Sequence, residues 1–205
     1  MSAGEDGHLS EKKAQAERCS DSDKKWPILF RSIEQAMERR DYYGAEKLAL
    51  FALELMEEHD DSDSRLIQTL QMLSRIYYAS ERYGMGAPVL KRLIKIYSRL
   101  TGEASMETST IMQNAALLYH YWGKREEAEY YYQKAIEAKT TLLGQQDQQV
   151  LRLISHYVKF LEDSGRPQDA AYYRELCSKS SKELMTRTGS WEAMVPQETL
   201  APENT

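Results

Sequence analysis

The chain has 205 residues, of which 41% are hydrophobic, with a formal net charge of −5 and a pI of about 5.5. That length is enough to bury a core, and the acidic balance works against general attraction to a nucleic-acid backbone or an anionic membrane. It holds no run of about 18 apolar residues. The N-terminus, MSAGEDGHLSEKKAQAER, has no apolar centre of the kind a signal peptide needs, so a cytoplasmic location is expected.

Residues 1–25 are rich in Glu, Lys, Ser, Asp and Gly and nearly free of large apolar side chains. They cannot offset the entropy of ordering, which predicts a disordered leader with at most a transient helix over Glu11–Arg18. Regular structure is expected from Trp26-Pro27, where proline suits a first helical turn, with a packing stripe of Leu29, Ile33 and Ala36. A turn at Arg40-Asp41-Tyr42 leads to a second helix, Tyr43 to Met56. Its nearly continuous apolar run from Leu48 to Leu55 predicts a helix covered on both sides. The next linker, Glu58 to Ser64, contains Asp60, Asp61 and Asp63 but lacks the glycine and terminal glutamate of a calcium-binding EF-hand loop, so it reads as a solvated, helix-capping segment.

The following pair places Leu70, Leu73, Ser74 and Tyr77 on one stripe and Gly86, Leu90, Leu93 and Ile94 on the other. Pro88 within GMGAP predicts that this second helix begins late or kinks. The clearest stretch is Ile111 to Gly144. Met112, Ala115, Ala116 and Tyr119 precede Gly123, and Ala128, Tyr132, Ala135 and Ile136 follow it, all at helical spacing. Two such helices joined around a glycine must run antiparallel, and Ala116 and Ala128 allow close approach. After the linker Leu142–Val150, with Asp147 as a helix cap, Ile154, Tyr157, Val158 and Leu161 form the next stripe. Gly165 and Pro167 stop one helix and start another, which carries Ala170, Tyr173 and Cys177 and continues as a polar cap to about Met185. From residue 188 a disordered tail is expected, with a small apolar cluster of Trp191, Met194 and Val195.

The turn and the small residue five positions on pair as Arg40 with Ala45, Glu81 with Gly86, Gly123 with Ala128, and Gly165 with Ala170. Successive turns lie 41, 42 and 42 residues apart. A near-constant period across four hairpins predicts a stacked helical-repeat array, because one hairpin cannot bury its apolar surface alone. The repeats divide as about 26–62, 63–104, 105–146 and 147–187. The pattern Gly123, Ala128, Ala135 resembles a tetratricopeptide repeat, and the run NAALLYHYWGKREEAEYYYQKAIEAKTTLLG is similar to the longer repeats of kinesin light chain. HEAT and armadillo arrays share the period but do not require this turn pattern. The resemblance implies an all-α, right-handed α-α superhelix.

Signs of chemistry are few. No GxSxG, GxxxxGK[ST], HExxH or GxGxxG occurs, and the paired carboxylates Glu57-Glu58 and Glu126-Glu127 lie in solvated helical segments without the buried environment that raises a pKa. Cys19 and Cys177 are expected to be reduced thiols. His8, His59, His120 and His156 show no zinc spacing, so no metal, no cofactor and no enzymatic activity are expected. The tyrosines, including Tyr130-Tyr131-Tyr132 and Tyr119, Tyr121 and Trp122, lack the positive surroundings that single-stranded nucleic acid demands.

What the resemblance implies is a groove. Its first helices would line a concave surface for a peptide, through Gln71, Met72, Arg75 and Tyr78, then Gln113, Asn114, Leu117, His120 and Tyr121, then Ser155, His156, Lys159 and Glu162. Asn114 matches the asparagine that family members use to grip a peptide backbone, since a carboxamide donates and accepts at once. The corresponding residues elsewhere are Arg31, Met72 and His156, so there is no asparagine ladder. Arg75, His156 and Lys159 point to a ligand with acidic character. The expected function is a protein-interaction adaptor or scaffold with a protein or peptide ligand; the alternative is a structural oligomer, for instance a homodimer, associating through the ends of the stack.

Overall fold

A computed structural model describes residues 23–57 and 59–188, with side chains to Lys179. The leader and tail expected from sequence lie outside the described residues, apart from 23–25 and 188, which are helical. The possible helix at Glu11–Arg18, Cys19 and the Trp191, Met194 and Val195 cluster lie outside them altogether. Among the described residues there are eight helices and no strands, packed in consecutive pairs: α1 (23–38), α2 (Tyr42–Met56), α3 (Ser64–Ala79), α4 (Tyr83–Thr101), α5 (Met106–Tyr121), α6 (Arg125–Leu143), α7 (Gln148–Asp163) and α8 (Pro167–Thr188). None of these helices is long and apolar enough to cross a membrane.

All four turns expected from the repeat share one backbone solution. Arg40, Glu81, Gly123 and Gly165 have φ of 57°, 58°, 76° and 75°, the left-handed region. The next amide then donates five residues back: Asp41 to Ala36 at 2.9 Å, Arg82 to Tyr77 at 2.8 Å, Lys124 to Tyr119 at 2.9 Å and Arg166 to Leu161 at 2.8 Å. This is the long bond of a Schellman C-cap. The carbonyls of Asp41, Arg82, Lys124 and Arg166 in turn accept from Ala45, Gly86, Ala128 and Ala170, the small residues of the repeat. One short segment therefore ends one helix and starts the next.

The contacts divide the chain into two compact units. The first holds α1 to α4, with the turn residues Tyr121–Gly123. Its core is Ile33, Ala45, Ala49, Ala52, Met56, Leu66, Leu70, Leu73, Ile76, Leu90, Leu93 and Ile96. The Trp26 indole donates to Thr69 Oγ1 at 2.9 Å, tying α1 to α3, and stacks on Phe30. Glu46, buried on α2, pairs with Arg82 and accepts a bond from the Tyr77 hydroxyl. Asp63 caps α3 by accepting from Arg65 N at 2.8 Å, as the linker's capping reading requires. Two expectations are corrected. Helix α2 is not covered on both sides, because Leu50 and Phe51 are 45% and 46% exposed: its alanine stripe packs inward, and its outer face meets no other described helix. Helix α4 does not begin late, since it starts at Tyr83 with Pro88 inside it. The late start is thereby excluded; Pro88, the sixth residue of α4, removes the one bond its nitrogen would have given to the Gly84 carbonyl.

The second unit holds Ala104–His120 and the residues from Lys124 on. Its centre is aromatic: Tyr132, Tyr157 and Phe160 are buried, with ring centroids 5.5 to 5.8 Å apart. Ala115, Ala116, Ala128 and Ala135 supply the close helix approach, and Tyr119 stacks on Tyr131 at 5.6 Å. The arrangement at Glu46 recurs here, with Glu129 accepting from the Tyr157 hydroxyl at 3.0 Å and from Arg166 at 2.7 Å. Both glutamates directly follow the small residue of their repeat, and both arginines directly follow the next turn. Asp147 caps α7, accepting from Gln149 N at 2.7 Å. Met112, Ile136, Val158, Tyr173 and Cys177 are only half-buried, so they sit at the edges of the stripes that the spacing assigned them to.

Candidate functional site

The site residues expected from sequence divide between those that remain open and those that the fold occupies. On α3, Arg75 is exposed, Gln71 and Tyr78 are half-buried, and Met72 is buried at 4%. The Gln71 amide donates to the Tyr97 hydroxyl at 3.1 Å, which fastens α3 to α4. Tyr78 belongs to a three-ring cluster, edge-on to Tyr83 at 6.0 Å and to Tyr121 at 5.7 Å, while Tyr83 and Tyr121 stack at 6.2 Å. Burial, and then the Tyr121 and Tyr83 hydroxyls, push the Tyr78 phenol well above its usual range. Tyr121 remains nearly half exposed, and Trp122 lies against Gly84, where an added Cβ would meet the indole at 3.1 Å. The cluster is an aromatic surface of the first unit, and Tyr83 is the member that sequence reasoning missed. Its place just after the turn was the available signal.

In the second unit Asn114 on α5 is exposed and Leu117 half-buried, and Ser155, His156, Lys159 and Glu162 on α7 are exposed. Gln113 sits 42 residues after Gln71 and does the same work, accepting from Lys139 Nζ at 2.7 Å. Lys139 is 3% exposed, and burial followed by Arg152 draws its ammonium below the usual lysine range. His120 is held rather than open: Nε2 lies 3.0 Å from Asp163 Oδ2, Nδ1 lies 3.3 Å from the Tyr132 hydroxyl, and the ring meets Phe160 edge-on. A neutral imidazole donating to Asp163 and accepting from Tyr132 fits these distances. Burial, with a smaller push from Lys159, lowers its pKa against the pull of Asp163. The side chain of His156 is more exposed, yet crowding around its ring, then Lys159, His120 and Arg152, lowers its pKa as well. Tyr157 is pushed up to about 12, chiefly by burial.

Two further features were not legible in sequence. His59, in the α2–α3 linker, has both ring nitrogens buried with no hydrogen-bond partner among the described residues. The outer face of α4 collects Lys91, Arg92, Lys95 and Arg99 beside Asp61. Among the described residues no three or more His, Cys, Asp or Glu side chains stand together in a way that could hold a metal.

Helical hairpins of this construction define a tetratricopeptide-type helical-repeat fold. Among solved structures, the crystal structure of BtubC (BKLC) from P. vanneervenii has the same fold, at a TM-score of 0.57 and 17% sequence identity, over 93% of this chain and 97% of that one. The crystal structure of MamA protein gives a TM-score of 0.32 at 15% identity, over 86% of this chain and 98% of that one, and nothing further rests on it. No protein-family model matches the chain, and neither does any curated protein.

Proposed function

We propose that the chain is a non-catalytic protein-interaction module, an adaptor or scaffold of the cytoplasm, whose repeats resemble those of kinesin light chain and whose concave, first-helix face takes a peptide or partner protein. The observation that supports this most is the exposure of Asn114 on a helix whose neighbours Ala115, Ala116 and Leu118 are fully committed to packing. Its carboxamide is thereby open to pair with a peptide backbone. Arg75, His156 and Lys159 are open in the same way, and the two cations among them, Arg75 and Lys159, favour an acidic ligand. Gln71, Gln113 and His120 would act as support, because their polar groups already engage Tyr97, Lys139, Tyr132 and Asp163. Tyr78 and Tyr121 would supply an aromatic anchor of the sort that dominates binding energy.

The test is a pull-down from native lysate with wild type, Asn114→Ala and the charge reversal Arg75→Glu/Lys159→Glu, after their thermal melts have been matched. Loss of one backbone-directed carboxamide should weaken the partner about tenfold, roughly 1.4 kcal/mol. Equal retention by all three proteins would move recognition away from this face.

A second reading, self-association, draws on the outer face of α2. Tyr43, Leu50 and Phe51 fall on one helical stripe and are all exposed. Leu50→Lys/Phe51→Lys should leave the mass by light scattering unchanged if the chain is a monomer, and lower it if this face joins two copies.

A further inference from the structure

The second helix of repeat two carries a row of cations outside the first-helix surface. Lys91, Arg92, Lys95 and Arg99 share one face of α4 and, with Asp61 and the buried Ile96, line a cleft of about 420 Å³. The acidic linker ahead of α3 borders it. Arg92 Nη1 reaches Glu57 Oε1 at 3.4 Å, and Arg99 pairs with Asp61 and also faces Asp60. The linker therefore answers the two arginines. Among the described residues, neither Lys91 nor Lys95 forms an ion pair. Like charges four residues apart oppose helix formation, so the lysine pair gains nothing from the fold that displays it.

We propose that this cleft is a binding site for an extended acidic segment of a partner protein, with carboxylates at alternate positions set on Lys91 and Lys95. The spacing favours that ligand. Two lysines one turn apart are separated by about 6 Å along the helix, and alternate side chains of an extended chain by about 6.6 Å. From Lys91 to Arg99 the row runs about 12 Å, which about four extended residues cover and a single phosphate ion does not. The carboxylates of Glu57 and Asp61 already show how the arginines at this face receive acidic groups.

The probe is a fluorescein-labelled Glu-Ser-Glu-Ser-Glu-Ser peptide, titrated by anisotropy with the full chain at low salt. Lys91→Glu/Lys95→Glu should weaken binding at least tenfold. Lys47→Glu/Lys134→Glu, which reaches the same net charge at exposed sites elsewhere, should stay within twofold of wild type. Lys91→Gln/Lys95→Gln should melt no lower than wild type, which separates a lost site from a lost fold. Equal weakening by the two reversals would reduce the effect to net charge and overturn the proposal. So would wild-type binding no tighter than that of Lys91→Glu/Lys95→Glu, or a twelve-residue oligothymidylate held by the same lysines more tightly than the peptide.

Discussion

Two of the four turns place an ordinary L-residue where glycine is favoured, and this makes the turn assignment testable by sign. Glu81 is exposed, with φ of 58°. The left-handed region costs an L-residue roughly 1–2 kcal/mol, whereas a glycine there costs about 0.5–1 kcal/mol in unfolded-chain freedom. Glu81→Gly should therefore stabilise by about 0.5–1 kcal/mol. Gly165→Ala is the mirror experiment. A Cβ at Gly165 meets nothing within 4 Å, so its cost is purely conformational, about 1 kcal/mol. For a chain of this size 1 kcal/mol moves Tm by about 2–4 °C. Each change is read from the midpoint of a urea titration followed by circular dichroism. A Glu81→Gly protein no more stable than wild type, or a neutral Gly165→Ala, would refute the account of how these hairpins are closed.

The buried ring nitrogens of His59 find no hydrogen-bond partner among the described residues, so His59→Leu should raise stability by about 1–2 kcal/mol in the same urea titration. Glu46→Ala should lower it by about 1–3 kcal/mol, because the carboxylate is buried and joins Arg82 and Tyr77; a loss below a few tenths would mean the pair is decorative. His120 and His156 both have folded pKa values below their ordinary 6.5, so the unfolded chain binds more protons as the pH falls through that value. Stability should thus be full well above pH 6.5 and decline as the pH falls through that value, and scanning calorimetry should show that slope reduced in His120→Gln/His156→Gln.

The hairpins themselves were legible in the sequence. Spacings of three and four residues, a small residue five after each turn and a period of 41 to 42 are local chemistry repeated along the chain, and each copy confirms the others. Arg40 and Glu81 could be placed in the turns only because Gly123 and Gly165 fixed the register. The same periodicity separated Asn114, exposed, from Ala115 and Ala116, buried. What periodicity cannot state is which neighbour a helix face meets. Leu50 and Phe51 read as core by composition, yet no described helix covers that face of α2; Gln71, Gln113 and His120 read as open groove, yet Tyr97, Lys139, Tyr132 and Asp163 reach them from other helices. Nor can periodicity state that, among the described residues, the linker carboxylates answer Arg92 and Arg99 and leave Lys91 and Lys95 without an ion pair. Helix and turn were set by interactions within a few residues, which a sequence displays directly. Burial, hydrogen-bond partners and charge compensation were set by contacts across tens of residues, and those were decided only when the helices packed.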